Sequence, residues 1–150
     1  MRDAMGGVVN ITFIAIFMIV VSGYLAFTVS YNKAFKVKNK AISILEQYEH
    51  YNSTSQELIK EYMNKLGYNA QSPKLDSKRD GDTNDWDCKS VNGICVRWTQ
   101  DTESGEAGIP KGYYSVKAGV YINVPIFNKF LPYMTFFQTQ GDTMTINAIN

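Results

Sequence analysis

Residues 8–29 read VVNITFIAIFMIVVSGYLAFTV, a run of 22 residues without a charged side chain. About 20 apolar residues, each rising 1.5 Å along a helix, cross a hydrocarbon core of roughly 30 Å. The polar members of the run are uncharged, so each costs less in lipid than a buried charge would. The run therefore predicts a membrane-spanning helix over residues 8–30, behind an N-terminal tail of residues 1–7.

Two other interpretations of this run are weaker. A cleavable secretory signal has an apolar stretch of roughly 7–15 residues, followed by a small-residue cleavage site. Here the stretch is longer and continues into Ser30 and Tyr31 without such a site. A buried helix of a soluble domain would be shorter or would keep a charged face. We therefore expect a permanent, single-pass anchor in a cell membrane.

The rest of the chain is sized for one domain. Residues 31–150 are enough for a single hydrophobic core and too few for two domains. The whole chain has 15 basic and 14 acidic residues, a net charge of +1. Since the basic residues are scattered among acids, nucleic-acid binding is not expected.

The helix is predicted to continue beyond the membrane as a stalk over residues 31–51. Apolar residues recur there at helical spacing, at Ala34, Val37, Ala41, Ile44, Leu45 and Tyr48. A second helix is predicted over residues 55–66, because Thr54 and Glu57 fit a capping box and Gly67 is a natural C-terminal stop. It should lie antiparallel to the stalk and share its apolar stripe.

Strands are predicted after the helices, in a sheet over residues 85–149. The clearest covers residues 113–125, where apolar and polar side chains alternate six times. Further strands are expected at residues 94–99, 133–139 and 143–149, with a turn at residues 140–142 and surface loops at residues 70–87 and 100–112. One apolar and one polar face indicate an antiparallel sheet with the helices on one side. The predicted fold class is therefore α+β.

The two sides of the predicted span give conflicting signals about orientation. Lysines follow the span at positions 33, 36, 38 and 40, and taken alone they place the domain in the cytoplasm. We read them as a solvated face at the membrane edge, with contact to anionic lipid as the alternative. Cys88 and Cys95 are spaced for a disulfide across a hairpin, which persists in oxidising compartments; two free thiols are the alternative in a cytoplasmic domain. We favour the domain outside.

Few residues are suited to catalysis. His50 is the single histidine, and two cysteines with one histidine cannot complete a four-ligand zinc site. No glycine-rich phosphate loop is present. We therefore expect neither an enzyme nor a cofactor.

The acidic loop offers one weak metal candidate. Asp80, Asp82 and Asn84 stand at positions 1, 3 and 5 of an EF-hand-like spacing. Position 6 is Asp85 where glycine belongs, and position 12 is Val91 where a glutamate belongs. A solvated acidic loop is the favoured interpretation, and a calcium site of another type is the alternative.

The layout resembles the pilins and pseudopilins of type IV-like and Tad systems. Met5, Gly6 and Gly7 precede the apolar helix, after the short charged tail that holds Arg2 and Asp3, as in a class III signal. The segment VYINVPI at residues 120–126 and QGDT at residues 140–143 are similar to endings of TadE-like proteins. The resemblance implies a candidate processing site at Gly6 and Gly7.

The chain departs from this family at one position. Classical pilins carry a glutamate five residues after the processing site, whereas Thr12 or Ile11 stands there in this sequence. The departure favours a minor pilin or pseudopilin, a structural subunit that associates with other pilus-assembly subunits. Ser22, Gly23 and Ala26 are the candidates for close helix packing, because small residues let helices approach in lipid. The alternative function is a membrane-tethered extracellular binding module, with calcium dependence as one option.

Overall fold

The computed structural model describes residues 2–68, 85–101, 111–121 and 136–147. In chain order the elements are α1 (Arg2–Tyr48), α2 (Ser53–Leu66), β1 (Ile94–Asp101), β2 (Lys111–Tyr121), β3 (Phe136–Asp142) and β4 (Ile146–Asn147). A long apolar N-terminal helix, a second helix and an antiparallel sheet confirm the α+β layout. The predicted strand positions 122–125, 133–135 and 148–149 lie outside the described residues, as does most of the loop 70–87.

Helix α1 is one unbroken element of 47 residues, about 70 Å long at 1.5 Å per residue. It begins at Arg2, so residues 2–7 extend the helix that was expected to start near residue 8. It ends at Tyr48, three residues before the predicted end. The reason is Glu49, whose φ of 54° is left-handed and cannot continue a right-handed helix.

Helix α2 begins earlier than the sequence pattern predicted. Its N-cap is Asn52, whose side chain accepts a 2.9 Å hydrogen bond from the backbone N–H of Ser55. The capping box at Thr54 and Glu57 is therefore wrong, because Asn52 is an equally strong cap two residues upstream of Thr54. The predicted stop is confirmed, since Gly67 takes the left-handed conformation with φ 61°.

The end of α2 is tied to the sheet by the residue after this glycine. The Tyr68 N–H donates to the Met63 carbonyl, which completes a Schellman motif. The buried Tyr68 hydroxyl contacts the carbonyl oxygens of Gly93 and Gly119 on the sheet side. Burial raises the pKa of this phenol above its usual range, so it stays a neutral donor.

The two helices run antiparallel and share the predicted stripe. Lys33, in the middle of α1, donates from Nζ to the carbonyl of Gly67 at the end of α2, at 3.3 Å. Near the other end of α1, Ile44 and Tyr48 line a groove together with Leu58 of α2. Five positions of the stripe are buried: Ala34, Val37, Ala41, Ile44 and Leu45. The last position, Tyr48, is exposed.

Strand β2 lies at the centre of the sheet, in the strand order β1–β2–β3, with β4 pairing to the start of β2. The register places Ile94 opposite Ala118 and Val96 opposite Val116, so apolar residues meet on the face toward the helices. This face and the helical stripe enclose the core, which also holds Ile59, Met63, Val91, Tyr114, Val120 and Ile146. The predicted alternation of β2 is confirmed on this face.

Strand β3 runs alongside α1 in the same direction. Phe137 contacts Phe27 with ring centroids 5.4 Å apart, and further along the chain the Met144 N–H donates to Glu46 at 2.9 Å. Between these contacts Gly141 faces α1, where an added Cβ would lie 3.0 Å from Ile42 Cδ1. The strand thus follows the helix from the edge of the predicted span to near the end of the stalk.

The register of β3 corrects the predicted turn at residues 140–142. Gln140 pairs with Lys117, Gly141 with Val116 and Asp142 with Ser115, so these residues continue the strand. The Gly-Asp pair looks like a turn signal, but Gly141 lies inside the strand, where a Cβ would closely approach the Ile42 and Lys38 side chains of α1. The strand predicted over 143–149 is reduced to the two residues of β4 among the described positions.

The outer face of the sheet was expected to be polar and solvated, and at its centre this is wrong. Ser115 and Lys117 are each 1% exposed, and Cys95 of β1 is fully buried. Trp86 covers this region, with its ring 4.3 Å from Lys117 Nζ. The central strand is therefore enclosed on both sides.

Candidate functional site

The largest apolar surface among the described residues is the N-terminal half of α1. Thirteen large apolar side chains between Val8 and Leu25 are exposed there; Phe17 is 66% exposed and Leu25 58%. In the described part of the chain, one helix, Gly7–Tyr48, is long and apolar enough to cross a membrane. Exposed surface of this extent is typical of a helix in lipid or against partner helices.

The hydroxyl groups in this half of α1 are already satisfied. Thr12, Ser22 and Thr28 each donate to the carbonyl four residues back, at 2.9, 2.7 and 2.9 Å respectively. A hydroxyl bonded in this way presents little unsatisfied polarity to lipid. The polar residues of the run are therefore compatible with an apolar surrounding.

The predicted packing residues lie at the lower end of this surface, near the domain. Ser22 is exposed, Gly23 is buried and Ala26 is half-buried. Ser22 and Ala26 are four residues apart and share one face of α1. Gly6 and Gly7, the candidate processing site, lie inside α1, and a Cβ added at Gly7 would meet nothing within 4 Å.

The four lysines after the span do not form one solvated face. Lys33 donates to the end of α2, as described above. Lys38 is buried, with Nζ 3.5 Å from the Gln140 carbonyl and 4.4 Å from the centre of the Phe35 ring. Only Lys36 and Lys40 are exposed. The predicted solvated face is therefore wrong for Lys38, which is buried, whereas Lys33 is half-buried and bonds to the end of α2.

Aromatic side chains mark the point where α1 meets the sheet. Phe27, Tyr31 and Phe35 are spaced by four residues, with consecutive ring centroids 5.9 and 6.3 Å apart. Phe137 of β3 adds an edge contact to Phe27. Tyr31, Phe35 and Phe137 keep about two-fifths of their surface exposed. The row therefore combines contact within the protein with an accessible outer side.

The predicted cysteine pair is seen in the structure. Cys88 and Cys95 have their sulfur atoms 2.02 Å apart, at disulfide distance. The backbone of Asp87 forms a bridge with Val96, which brings the Cys88 segment against β1 as the hairpin prediction required. The covalent link fixes this segment over the outer face of the sheet.

The Asp87 carboxylate closes the turn that follows. Oδ1 accepts from the N–H groups of Lys89 and Ser90 at 2.9 and 3.0 Å, and Oδ2 accepts from the Ser90 hydroxyl. Partial burial on its own would raise the pKa of this carboxyl group. The hydrogen bonds from Ser90 and Lys89 outweigh that effect and hold the pKa below its ordinary value.

A second cluster lies beneath this turn. The Trp86 ring lies 4.8 Å from the Arg97 guanidinium carbon and 4.3 Å from Lys117 Nζ, so two cations contact one indole. Cation–π attraction increases when the groups are removed from water, as Trp86 and Lys117 are here. The cluster is buried and stabilises the outer layer of the domain.

The metal candidates lie largely beyond what the structure describes. Asp80, Asp82 and Asn84 are outside the described residues, as is the loop 102–110. Within the described ranges no group of three or more histidine, cysteine, aspartate or glutamate side chains is arranged to hold a metal ion. His50 is exposed just beyond the end of α1.

Sequence reasoning missed two features of this region. The contact of Phe27 with Phe137 joins residues 110 positions apart, and no local pattern signals it. The Trp86 cluster had a clearer sequence signal, because Arg97 and Lys117 both fall on the outward positions of predicted strands beside a tryptophan.

Comparison of the chain with protein-family models, curated proteins and solved structures found no match.

Proposed function

We propose that the chain is a membrane-anchored structural subunit of a pilin-like assembly, a minor pilin or pseudopilin, with its folded domain outside the cell. The observation that carries this proposal is the unbroken α1. One helix is bare and apolar in its first half and packed against the domain in its second half. A subunit that moves from lipid to a helical assembly needs such a rigid connection.

The bare half has the surface that both environments require. Its exposed side chains are apolar, which suits lipid, and the small residues Ser22 and Ala26 on one face let a second helix approach. The absence of any acid in residues 8–29 distinguishes it from a classical pilin helix and supports a minor or priming role. Its assembly partners are then copies of this chain or other pilus subunits.

One observation supports the external orientation. The Cys88–Cys95 pair at disulfide distance suits an oxidising compartment. The four lysines after the span favour the opposite orientation, and the positive-inside rule is a bias on topology that other signals override.

Fractionation of cells that carry the chain tests the assembly. We expect it in sheared surface material at filament molecular weight, and a Ser22→Leu variant should stay in the membrane and leave that fraction, because Ser22 is small and exposed. Val20→Leu, which enlarges an exposed position that is already large and apolar, is the matched control. Recovery of the native chain only as a detergent-extracted monomer would overturn the proposal.

The mature N-terminus tests the processing step separately. Mass spectrometry of the purified chain should give an N-terminus at Gly7 or Val8 if a prepilin-type peptidase acts on it. An intact Met1 would instead make the chain a permanent anchor that assembles without processing.

A further inference from the structure

The exposed apolar part of α1 has almost the length of a bilayer core. From Gly7 to Ala26 the helix has 20 residues, about 30 Å at 1.5 Å per residue, which equals the hydrocarbon thickness. The next residue, Phe27, already contacts β3 of the domain. No free length of helix separates a membrane-embedded segment from the folded domain.

Four aromatic side chains lie close to this point. Tyr24, Phe27 and Tyr31 lie on one stripe of α1, since they are three and four residues apart. Phe137 lies beside Phe27 on the neighbouring strand. Tyr24 is 68% exposed and Phe137 39%, although Phe137 belongs to a folded sheet whose inner positions are otherwise buried. We call these four residues the aromatic collar.

We propose that the aromatic collar is a lipid contact surface, which seats the domain directly on the headgroup layer of the bilayer with the start of β3 at the interface. This inference rests on the membrane anchoring in the proposed function. Tyr24 and Tyr31 suit this depth because their rings meet the acyl chains and their hydroxyl groups meet water. Phe27 and Phe137 add purely apolar surface on the acyl-chain side. Lys36 is exposed two and a half turns above Phe27, about 13.5 Å along the axis, and its long side chain can extend back toward the lipid phosphates.

The geometry explains why β3 carries an exposed phenylalanine. In water the exposed part of this ring would remain hydrated apolar surface, whose burial in lipid is favourable. Against the interface the same ring is buried by lipid and also fixes the tilt of the domain, since it lies on a different element from the helical part of the collar. Two elements held at one depth resist tilting of the domain relative to the membrane.

Photo-crosslinking to lipid tests this contact. The full chain is reconstituted in vesicles of equal amounts of phosphatidylcholine and phosphatidylglycerol, with benzoylphenylalanine at one position, and adducts are identified by mass. Three positions are compared: Phe137 in the collar, Phe17 in the bare half of α1, and Met144, which is 77% exposed at the far end of the domain. Near-ultraviolet circular dichroism checks that each variant is folded.

We expect lipid adducts at Phe17 and Phe137 and none at Met144. Adducts at Phe17 without adducts at Phe137 would overturn the collar and leave the anchoring intact. Crosslinks from Phe137 to a second copy of the chain in place of lipid would also overturn it, because the collar would then be a subunit contact. Absence of lipid adducts at Phe17 would refute the anchoring itself, and the collar with it.

Discussion

Helix α1 has two different surfaces along its length. In its first half, apolar residues cover every side and are exposed; in its second half, apolar residues form one stripe and are buried. Leu25 and Leu45 illustrate the contrast, with 58% and 0% of their surface exposed. The backbone is the same in both halves, so the difference lies entirely in the pattern of side chains.

The contrast shows that the two halves of α1 are stabilised in different ways. The second half is stabilised by burial against α2 and the sheet, which is the usual source of helix stability in proteins. The first half has no such contact among the described residues beyond the Phe27 region, and depends on an apolar surrounding. Substitutions in the two halves should therefore act on different properties.

The largest effect is expected from truncating the buried leucine. Leu45→Ala should lower the free energy of unfolding of the domain by about 2–5 kcal/mol, because it leaves a cavity in the core. Leu25→Ala is the matched control and should leave domain unfolding unchanged. Thermal unfolding in detergent micelles, followed by near-ultraviolet circular dichroism, measures both; equal losses would break the contrast between the halves.

The disulfide should stabilise only the domain. Replacing Cys88 and Cys95 together by alanine should cost about 2.5 kcal/mol in the loop-entropy model for a closed loop of this size. The far-ultraviolet signal of the bare half of α1 should persist through the lower transition. A double variant that melts like the native chain would show that the link adds nothing to the outer layer.

A glycine pair tests the packing of the two regions. An added Cβ at Gly112 would lie 2.5 Å from the Thr99 carbonyl oxygen and 2.5 Å from the Trp98 ring, whereas Gly7 has open space. Gly112→Ala should therefore destabilise the domain by about 1–3 kcal/mol through overpacking. Gly7→Ala should leave the domain transition in place, and a comparable loss there would show that the first half is packed.

Local pattern was enough to predict the helices, the buried stripe and the long central strand. The spacing from Ala34 to Leu45 and the alternation in β2 each identify a face without knowledge of the partner. Gly67 was predictable because a left-handed C-cap favours glycine whatever surrounds it. These features depend on neighbours within a few residues.

The errors arose where distant residues decide the structure. Gly141 carries a turn signature, but it lies in β3, where it pairs with Val116 of β2, a residue 25 positions away. Lys117 alternates like a solvated residue, but Trp86 covers it. Asn52 and Thr54 are both good caps, and sequence alone did not rank them. The interpretation of the lysines after the span failed for the same reason, since their partners are 34 and 102 residues away.

Two of those lysines provide a finer test at the boundary between the halves. Lys38→Ala removes a buried stem that packs on Gly141 and a hydrogen bond to Gln140, and should cost about 1–2 kcal/mol. Lys36→Ala, two residues away and exposed, should change stability by less than about 0.5 kcal/mol. Equal, small effects of the two substitutions would instead support the predicted solvated face.

The smallest expected effect is the change in stability as the pH falls. Only the domain should show it, since residues 8–29 contain no carboxylate. Because the folded-state pKa of Asp87 is lowered, its contribution is present above the ordinary value of 3.8 and disappears as the pH falls through the lower folded value. Asp87→Asn should therefore cost under about 1 kcal/mol at neutral pH, and the difference from the native chain should shrink in acid. Asp142→Asn, at an exposed carboxylate, is the control. A difference that stayed constant with pH would mean that the side-chain shape at position 87, and not its charge, holds the turn over the sheet.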